Sequence, residues 1–271
     1  MTGPKKTGAR DGDFFRDGWC VFDHDPVLAT WVDGALPAAR ATTREPENQA
    51  WFRYRRTWFA GVNVLPNAPD GSLPDTPPLA GKAVSFIADR LGLSGFVWDR
   101  AQVSICYTGY PQPMEGESEG LHRFRRDRDA AHVDGLLREG PARRRFLREH
   151  HGFILGIPMV RFDPGASPFV VWRGSHKLIR HAFRERFDGI PADQWTDQDV
   201  TETYHTVRRR AFDECERVEI HAWPGEAFLV HRLALHGVAP WAPDAEAGDD
   251  GRMIVYFRPE IGGPHDWLNA D

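Results

Sequence analysis

Cysteine is scarce: the 271 residues hold three, Cys20, Cys106 and Cys215, with no CxxC spacing among them. An odd, scattered set excludes a disulfide framework and a structural zinc site and predicts three reduced thiols. No apolar run approaches the ~20 residues needed to span a bilayer, so no membrane partner is expected. A basic excess is missing too. The formal net charge is −5 with 27% of residues charged, which argues against a nucleic-acid partner. The opening stretch MTGPKKTGARDGD has no apolar segment behind it, so no secretory signal is read and a cytoplasmic location is expected. Repeats and domain linkers are likewise absent, and 41% hydrophobic residues exclude disorder for most of the chain. The expectation is one domain over residues 13–271 behind a disordered tail of residues 1–12, with the oligomeric state open.

What is present, from Phe96 onward, is a run of short apolar segments: FVWD (96–99), AQVSICYTG (101–109), FILGIPMVRF (153–162), FVVWRGS (169–175), RVEIHAW (217–223), EAFLVHR (226–232) and RMIVYFRP (252–259). Each is bounded by Gly, Pro or Asp, which reads as strands of a sandwich or barrel. The N-terminal part is mixed. Residues 14–22 read as a helix end, a Gly stop and a strand, residues 26–39 and 79–91 as helices, and residues 64–78 as a proline-rich loop. Residues 178–216 have helical character and interrupt the strands. An insertion of this length is expected to cover a site, with Phe183, Phe187 and Trp195 forming part of a substrate wall.

Twelve histidines are the resource for chemistry. His132-Val133-Asp134 is the one His-x-Asp in the chain. In an extended segment residues i and i+2 project to the same side, about 6–7 Å apart, close enough to share a metal. Such a tripeptide also arises by chance, so a third ligand is needed. It is offered by GEAFLVHRLALHG (225–237), where a Gly turn opens an apolar strand that ends in a His-Gly pair. Two histidines and a carboxylate on one face of an octahedral ion leave three positions open, the arrangement that lets iron(II) take a bidentate cosubstrate and dioxygen. His231 and His236 both compete for the third place, and each is also readable as an ordinary polar residue at a strand end.

Four stretches together resemble the phytanoyl-CoA dioxygenase-like family of iron(II)/2-oxoglutarate oxygenases. FRDGWCV (15–21) resembles its acidic-Gly-aromatic strand entry, His132-Val133-Asp134 its metal pair, WRGSHK (172–177) its Pro-Gly-Ser-His-Lys turn, and 225–237 its strand into the distal ligand. The resemblance implies a mainly β chain with flanking helices around a double-stranded β-helix, or jelly-roll, core. It implies His132, Asp134 and His236 as iron ligands, and Arg252 as partner of the far carboxylate of 2-oxoglutarate. A planar guanidinium suits that bidentate role on physical grounds. Arg258, six residues on, is the rival. Gln102 and Tyr107 are further candidates for contacting the cosubstrate; they point to opposite faces of one strand, so at most one does. The pattern departs at Arg173, where proline is usual, at Val238, where a small hydroxyl residue is usual, and in the long stretch from Gly109 to His132. Asp134 is kept, whereas halogenating relatives have a small residue there, so hydroxylation or a related oxidation is implied.

The resulting expectation is a dioxygenase that uses iron(II), 2-oxoglutarate and dioxygen to oxidise a small molecule, releasing succinate and CO2. RFRRDR (123–128) reads either as a solvated loop or as a greeting for an anionic group. Three alternatives remain: a cupin-type metal enzyme with no use for Arg252, a non-catalytic binding protein on the same fold, and an oxygenase acting on a macromolecule. The second predicts a damaged ligand set, which this sequence does not show.

Overall fold

The computed structural model describes residues 10–270. Helix α1 (Phe14–Asp17) and strand β1 (Trp19–Phe22) are joined by Gly18 in a left-handed conformation (φ 85°), the conformation that ends a helix without a Cβ penalty. Then come α2 (Pro26–Thr42), β2 (Phe52–Arg53), β3 (Trp58–Phe59), α3 (Lys82–Arg90), β4 (Gln102–Cys106) and α4 (Glu119–Asp127). The hairpin β5 (Leu136–Glu139) and β6 (Arg144–Leu147) precedes β7 (Phe153–Pro158) and β8 (Phe169–Trp172). Helices α5 (Ser175–Phe187) and α6 (Thr201–Glu214) interrupt the strands, which resume as β9 (Arg217–Ile220), β10 (Ala227–His231), β11 (His236–Val238) and β12 (Arg252–Phe257) before α7 (Pro264–Asn269).

Seven strands form one sheet, β1-β10-β7-β12-β4-β3-β2, and three a second, β11-β8-β9. All pairings within them are antiparallel. The backbone at His132 pairs with His236 on β11 and so extends the smaller sheet. From β4 onward the chain runs large sheet, small (His132), large (β7), small (β8, β9), large (β10), small (β11), large (β12). Two facing antiparallel sheets joined by that alternation are a jelly roll.

Period-2 patterning builds the layers. On β12, Ile254 and Tyr256 face the space between the sheets, while Met253, Val255 and Phe257 face α2 and α3 with Trp31 and Ile87. On β8, Phe169 and Val171 point inward, and Val170 and Trp172 point outward to α5 and α6. Gly156 is required on β7, because a Cβ there would lie 2.2 Å from the ring of Phe228, its register partner on β10.

Three expectations need correction. FVWD is irregular rather than a strand: Trp98 drops into the core against Phe153 and Phe257, and Asp99 Oδ1 accepts the amide of Arg258 (2.9 Å), so the segment spends its groups on packing and capping instead of on a ladder. Of the tail, residues 1–9 lie outside the described residues, while Arg10 is docked on Asp23 (2.8 Å) and Glu226 (3.0 Å), supplying a counter-charge to a buried carboxylate. The insertion, finally, is not a substrate wall. Phe183 (0% exposed), Phe187 (2%) and Trp195 (7%) pack with Trp172, Tyr204 and Trp267 on the outer face of the small sheet. Val170 and Trp172 leave that face apolar, so it has to be covered. Phe183 and Phe187, one helical turn apart, supply the covering stripe.

Truncating Phe183 to Ala is therefore expected to cost about 3–5 kcal/mol in denaturant unfolding, with metal affinity of the folded protein unchanged. Wild-type stability, or intact stability with lost metal affinity, would contradict this placement.

Candidate metal centre

His132 and His236 are direct backbone partners. The His132 amide donates to the His236 carbonyl (2.8 Å) and the return bond is 3.0 Å, a hydrogen-bonded antiparallel pair whose side chains share one face. The ring centres stand 4.6 Å apart. Asp134, two residues along, projects to the same side, with Oδ1 at 3.2 Å from His132 Nε2 and 3.7 Å from His236 Nε2. One ligand atom from each of the three residues lies within 4.8 Å of the others. With metal–ligand bonds of about 2.1 Å, neighbouring ligand atoms stand about 3 Å apart, so the group needs only small adjustments to close on an ion.

Each imidazole has a fixed orientation. Nδ1 of His132 lies 3.1 Å from the Ala130 carbonyl and Nδ1 of His236 2.9 Å from that of Ala234. A carbonyl accepts only, so both Nδ1 atoms carry a proton and both Nε2 atoms, the ones a metal would take in place of a proton, are turned toward Asp134. Phe169 stacks on His236 at 5.5 Å and 10°. Gly237 completes the arrangement: a Cβ there would sit 2.2 Å from the Asp129 carbonyl, so only glycine lets β11 run this close to the strand that carries His132.

Arg258 Nη1 donates to Asp134 Oδ2 at 3.1 Å. Burial alone would raise the Asp134 carboxyl, but the charge of Arg258, reinforced by His236 and His132, holds it well below the usual carboxylate range. Asp134 is thus an anion with Oδ2 engaged and Oδ1 turned to the histidines. His231, the competing histidine, is elsewhere: its Nδ1 accepts the Leu233 amide (3.0 Å) and its Nε2 meets Arg180 (2.9 Å).

Arg252 is fully buried between the sheets (0% exposed). Its Nη2 donates to the Tyr256 hydroxyl (3.1 Å), while Nε and Nη1 have no partner. Burial raises the Tyr256 phenol, so it stays protonated, and because its oxygen accepts from Arg252 its own proton is available to an acceptor in front of it. Gln102 is the inward residue of the Gln102/Tyr107 pair, with Nε2 on the Ala60 carbonyl (2.7 Å). Tyr107 lies on the other face of the sheet, stacked on Phe52 (6.4 Å, 24°), and is not brought to the site.

An open cavity of about 210 Å³ lies over the three ligands, bounded by Trp58, Gln102, Ser104, Ile154, Phe169, Val238, Tyr256 and Arg258. Arg252 sits behind Tyr256 and does not line it. Tyr256 was readable from alternation, since 252, 254, 256 and 258 share one face of β12. Trp58 was not: it comes from a hairpin whose turn holds Tyr54, Arg55 and Arg56 at φ 51°, 54° and 66°, and it donates to Ser104 Oγ (3.0 Å). Tyr54 stacks on Trp58 (5.8 Å, 4°), and Arg125 of α4 sits 3.7 Å above Tyr54. The long stretch before His132 thus braces the edge of the cavity from behind, through Tyr54, and neither it nor residues 178–216 line the cavity. The arginines of 123–128 are occupied: Arg123 on Glu119 (3.2 Å), Arg125 on Glu117, Arg126 on Asp127 (2.7 Å) and Arg128 over Phe212 (4.9 Å).

No known family profile and no curated protein matches the chain. Among solved structures it is similar to AviO1 from Streptomyces viridochromogenes Tue57 (15% identity, 93% of each chain covered, TM-score 0.43). It is similar also to HygX from Streptomyces hygroscopicus, solved with nickel, 2-oxoglutarate and hygromycin B (13%, 93% of this chain and 85% of that one, TM-score 0.44). A third is EctD from S. alaskensis with bound Fe (16%, 91% and 74%, TM-score 0.43).

Adding one methyl group at Gly237 is expected to push the Asp129–His132 backbone away from β11 and to weaken iron(II) binding about 10–100-fold, read by competition with a metal-sensitive dye. Unchanged affinity in a folded Gly237→Ala protein would show that the backbone pairing does not set the ligand spacing.

Proposed function

We propose that the protein is an iron(II)- and 2-oxoglutarate-dependent dioxygenase that hydroxylates, or otherwise oxidises, a small molecule. The observation that carries this reading is the conjunction of a one-faced His132/Asp134/His236 donor set with a fully buried arginine, Arg252, that has two unpartnered nitrogen atoms in the same interior. A buried guanidinium without an anion is costly, and a carboxylate held in the cavity by the Tyr256 hydroxyl would bring the missing negative charge up to it.

His132, Asp134 and His236 would hold the ion, and the cavity they line would admit the cosubstrate beside it. Bound iron(II) with 2-oxoglutarate supplies dioxygen activation coupled to decarboxylation of the cosubstrate to succinate and CO2, one oxygen atom going to succinate and the other to the substrate. Arg258 keeps Asp134 Oδ2 engaged, so the carboxylate presents Oδ1 alone. Tyr256 and Arg252 receive the far carboxylate, the phenol donating its proton and the guanidinium standing behind it. Ile154, Phe169 and Val238 keep the reacting space apolar and exclude bulk water. A 210 Å³ cavity is smaller than the ~300–1,000 Å³ that encloses a drug-sized ligand, so it accepts the cosubstrate and the reacting end of a substrate whose remainder lies in the mouth, near Trp58 and the exposed His132.

The deciding experiment is anaerobic titration of apoprotein with iron(II) and 2-oxoglutarate, following the weak visible charge-transfer band of the chelate. Wild type is expected to develop the band, His236→Ala to bind neither iron nor cosubstrate, and Arg252→Ala to bind iron but lose at least ~10-fold in 2-oxoglutarate affinity. Iron binding with no band in wild type would remove 2-oxoglutarate from the reading and leave a cupin-type metal enzyme.

A further inference from the structure

Away from the metal centre, two arginines, Arg145 and Arg208, lie over one buried tyrosine, Tyr204, and two exposed ones, Arg138 and Arg143, stand on the hairpin beside them. Arg138 on β5 and Arg145 on β6 are direct cross-strand partners. Arg143 stands in the turn between those strands (φ 51°), and Arg208 reaches in from α6. The guanidinium of Arg145 lies 4.6 Å, and that of Arg208 5.3 Å, from the centre of the Tyr204 ring. None of the four forms an ion pair among the described residues, and the nearest acids are engaged elsewhere: Glu139 with Arg148 (3.0 Å) and Asp199 with Arg144 (3.4 Å). Glu202, exposed on α6, acts on His205 beside the cluster.

The centre of this group is deeply buried, with Arg145 6% and Tyr204 0% exposed. Arg145 Nη1 donates to the Leu136 carbonyl (2.7 Å), but its Nε has no partner, and neither have the Tyr204 hydroxyl and Arg208 Nε. Burial, joined by the charges of Arg138, Arg208 and Arg143, pushes the Arg145 guanidinium below its ordinary value. Like charges facing each other across a hairpin destabilise it, and a buried donor without an acceptor adds to the cost. Every unmet demand here is of one kind, for an anion with several oxygen atoms. A carboxylate satisfies one fork; a tetrahedral phosphate, with two negative charges and more than two free oxygens, satisfies several forks and the tyrosine hydroxyl together.

We propose that Arg138, Arg143, Arg145, Arg208 and Tyr204 form a binding site for a phosphate group, carried by a small molecule or free as inorganic phosphate. The site is independent of the chemistry assigned to the metal centre.

The test is isothermal titration calorimetry of the full chain, in buffer free of phosphate and sulfate, with inorganic phosphate and separately with glycerol 3-phosphate, at matched ionic strength. One saturable equivalent is expected; tighter binding of the ester identifies a phosphorylated ligand, and tighter binding of the free ion identifies phosphate itself. The Arg138→Gln/Arg208→Gln double variant, which leaves the buried Arg145 and Tyr204 in place, is expected to lose at least about tenfold in affinity, whereas Arg209→Gln on the same helix keeps it. Without phosphate the Arg138→Gln single variant is expected to melt no lower than wild type, because it sheds repulsion from Arg145 across the hairpin. No saturable binding to wild type, undiminished binding to the double variant, or a clearly lower melting point of the Arg138→Gln variant in phosphate-free buffer would overturn the proposal.

Discussion

Two hydrogen bonds hold the candidate centre together: the reciprocal pair between the backbones of His132 and His236. They turn a separation of 104 residues into side chains on one face of one ladder position. Everything else about the trio follows locally. Asp134 reaches the same side because it is two residues along, the carbonyls of Ala130 and Ala234 fix the ring tautomers, and Gly237 removes the one atom that would force the strands apart. The ligand set is therefore a property of strand register, and a one-residue slip would turn a ligand to the other face.

Around that register the interior carries more charge than a jelly roll needs for stability. Arg258 and Asp134 neutralise each other, and each has its charged form favoured by the other. Arg252 has no such partner: it is buried, touches one phenol and leaves two nitrogen atoms unmet. Placing such a group between two sheets lowers stability in the unliganded protein. The large core formed by Trp31, Phe153, Phe257 and their neighbours behind the big sheet offsets that cost. The apolar layers and the polar interior are thus opposed contributions, the first supporting the strained second.

Much of this was legible in the sequence. Short apolar runs bounded by Gly, Pro or Asp located β4, β7, β8, β10 and β12, because each has one face on helices and the other between the sheets and is buried along most of its length. His132 and Asp134 were legible because spacing alone puts them on one side. Choosing His236 over His231 was not a matter of spacing, since both end an apolar strand. It rested on the family register, and the backbone bond to His132 gives the physical reason. Arg252 and Arg258 share a face and a chemistry, and what separates them is a partner, Asp134, that no pattern within β12 announces. Tyr107 failed by parity, being an odd number of residues from Gln102 on the same strand.

The failures share one cause. FVWD reads as a strand and residues 178–216 read as a lid because apolar content shows that a segment is buried without showing what it is buried against. Trp98 is buried without a ladder, and Phe183 without a ligand. The cavity edge comes instead from Trp58, stacked on Tyr54 of a turn with three consecutive left-handed residues, which Arg125 of α4 covers in turn, a chain of aromatic and cationic contacts between segments distant in sequence. Backbone of that kind persists only where its surroundings over-determine it. The residues that could hold a metal are therefore periodic and readable, while those that form the cavity edge are irregular and are not. That division follows from their tasks: ligands need fixed spacing, which regular strands supply, and a substrate mouth needs a shape, which only loops and their packing can provide.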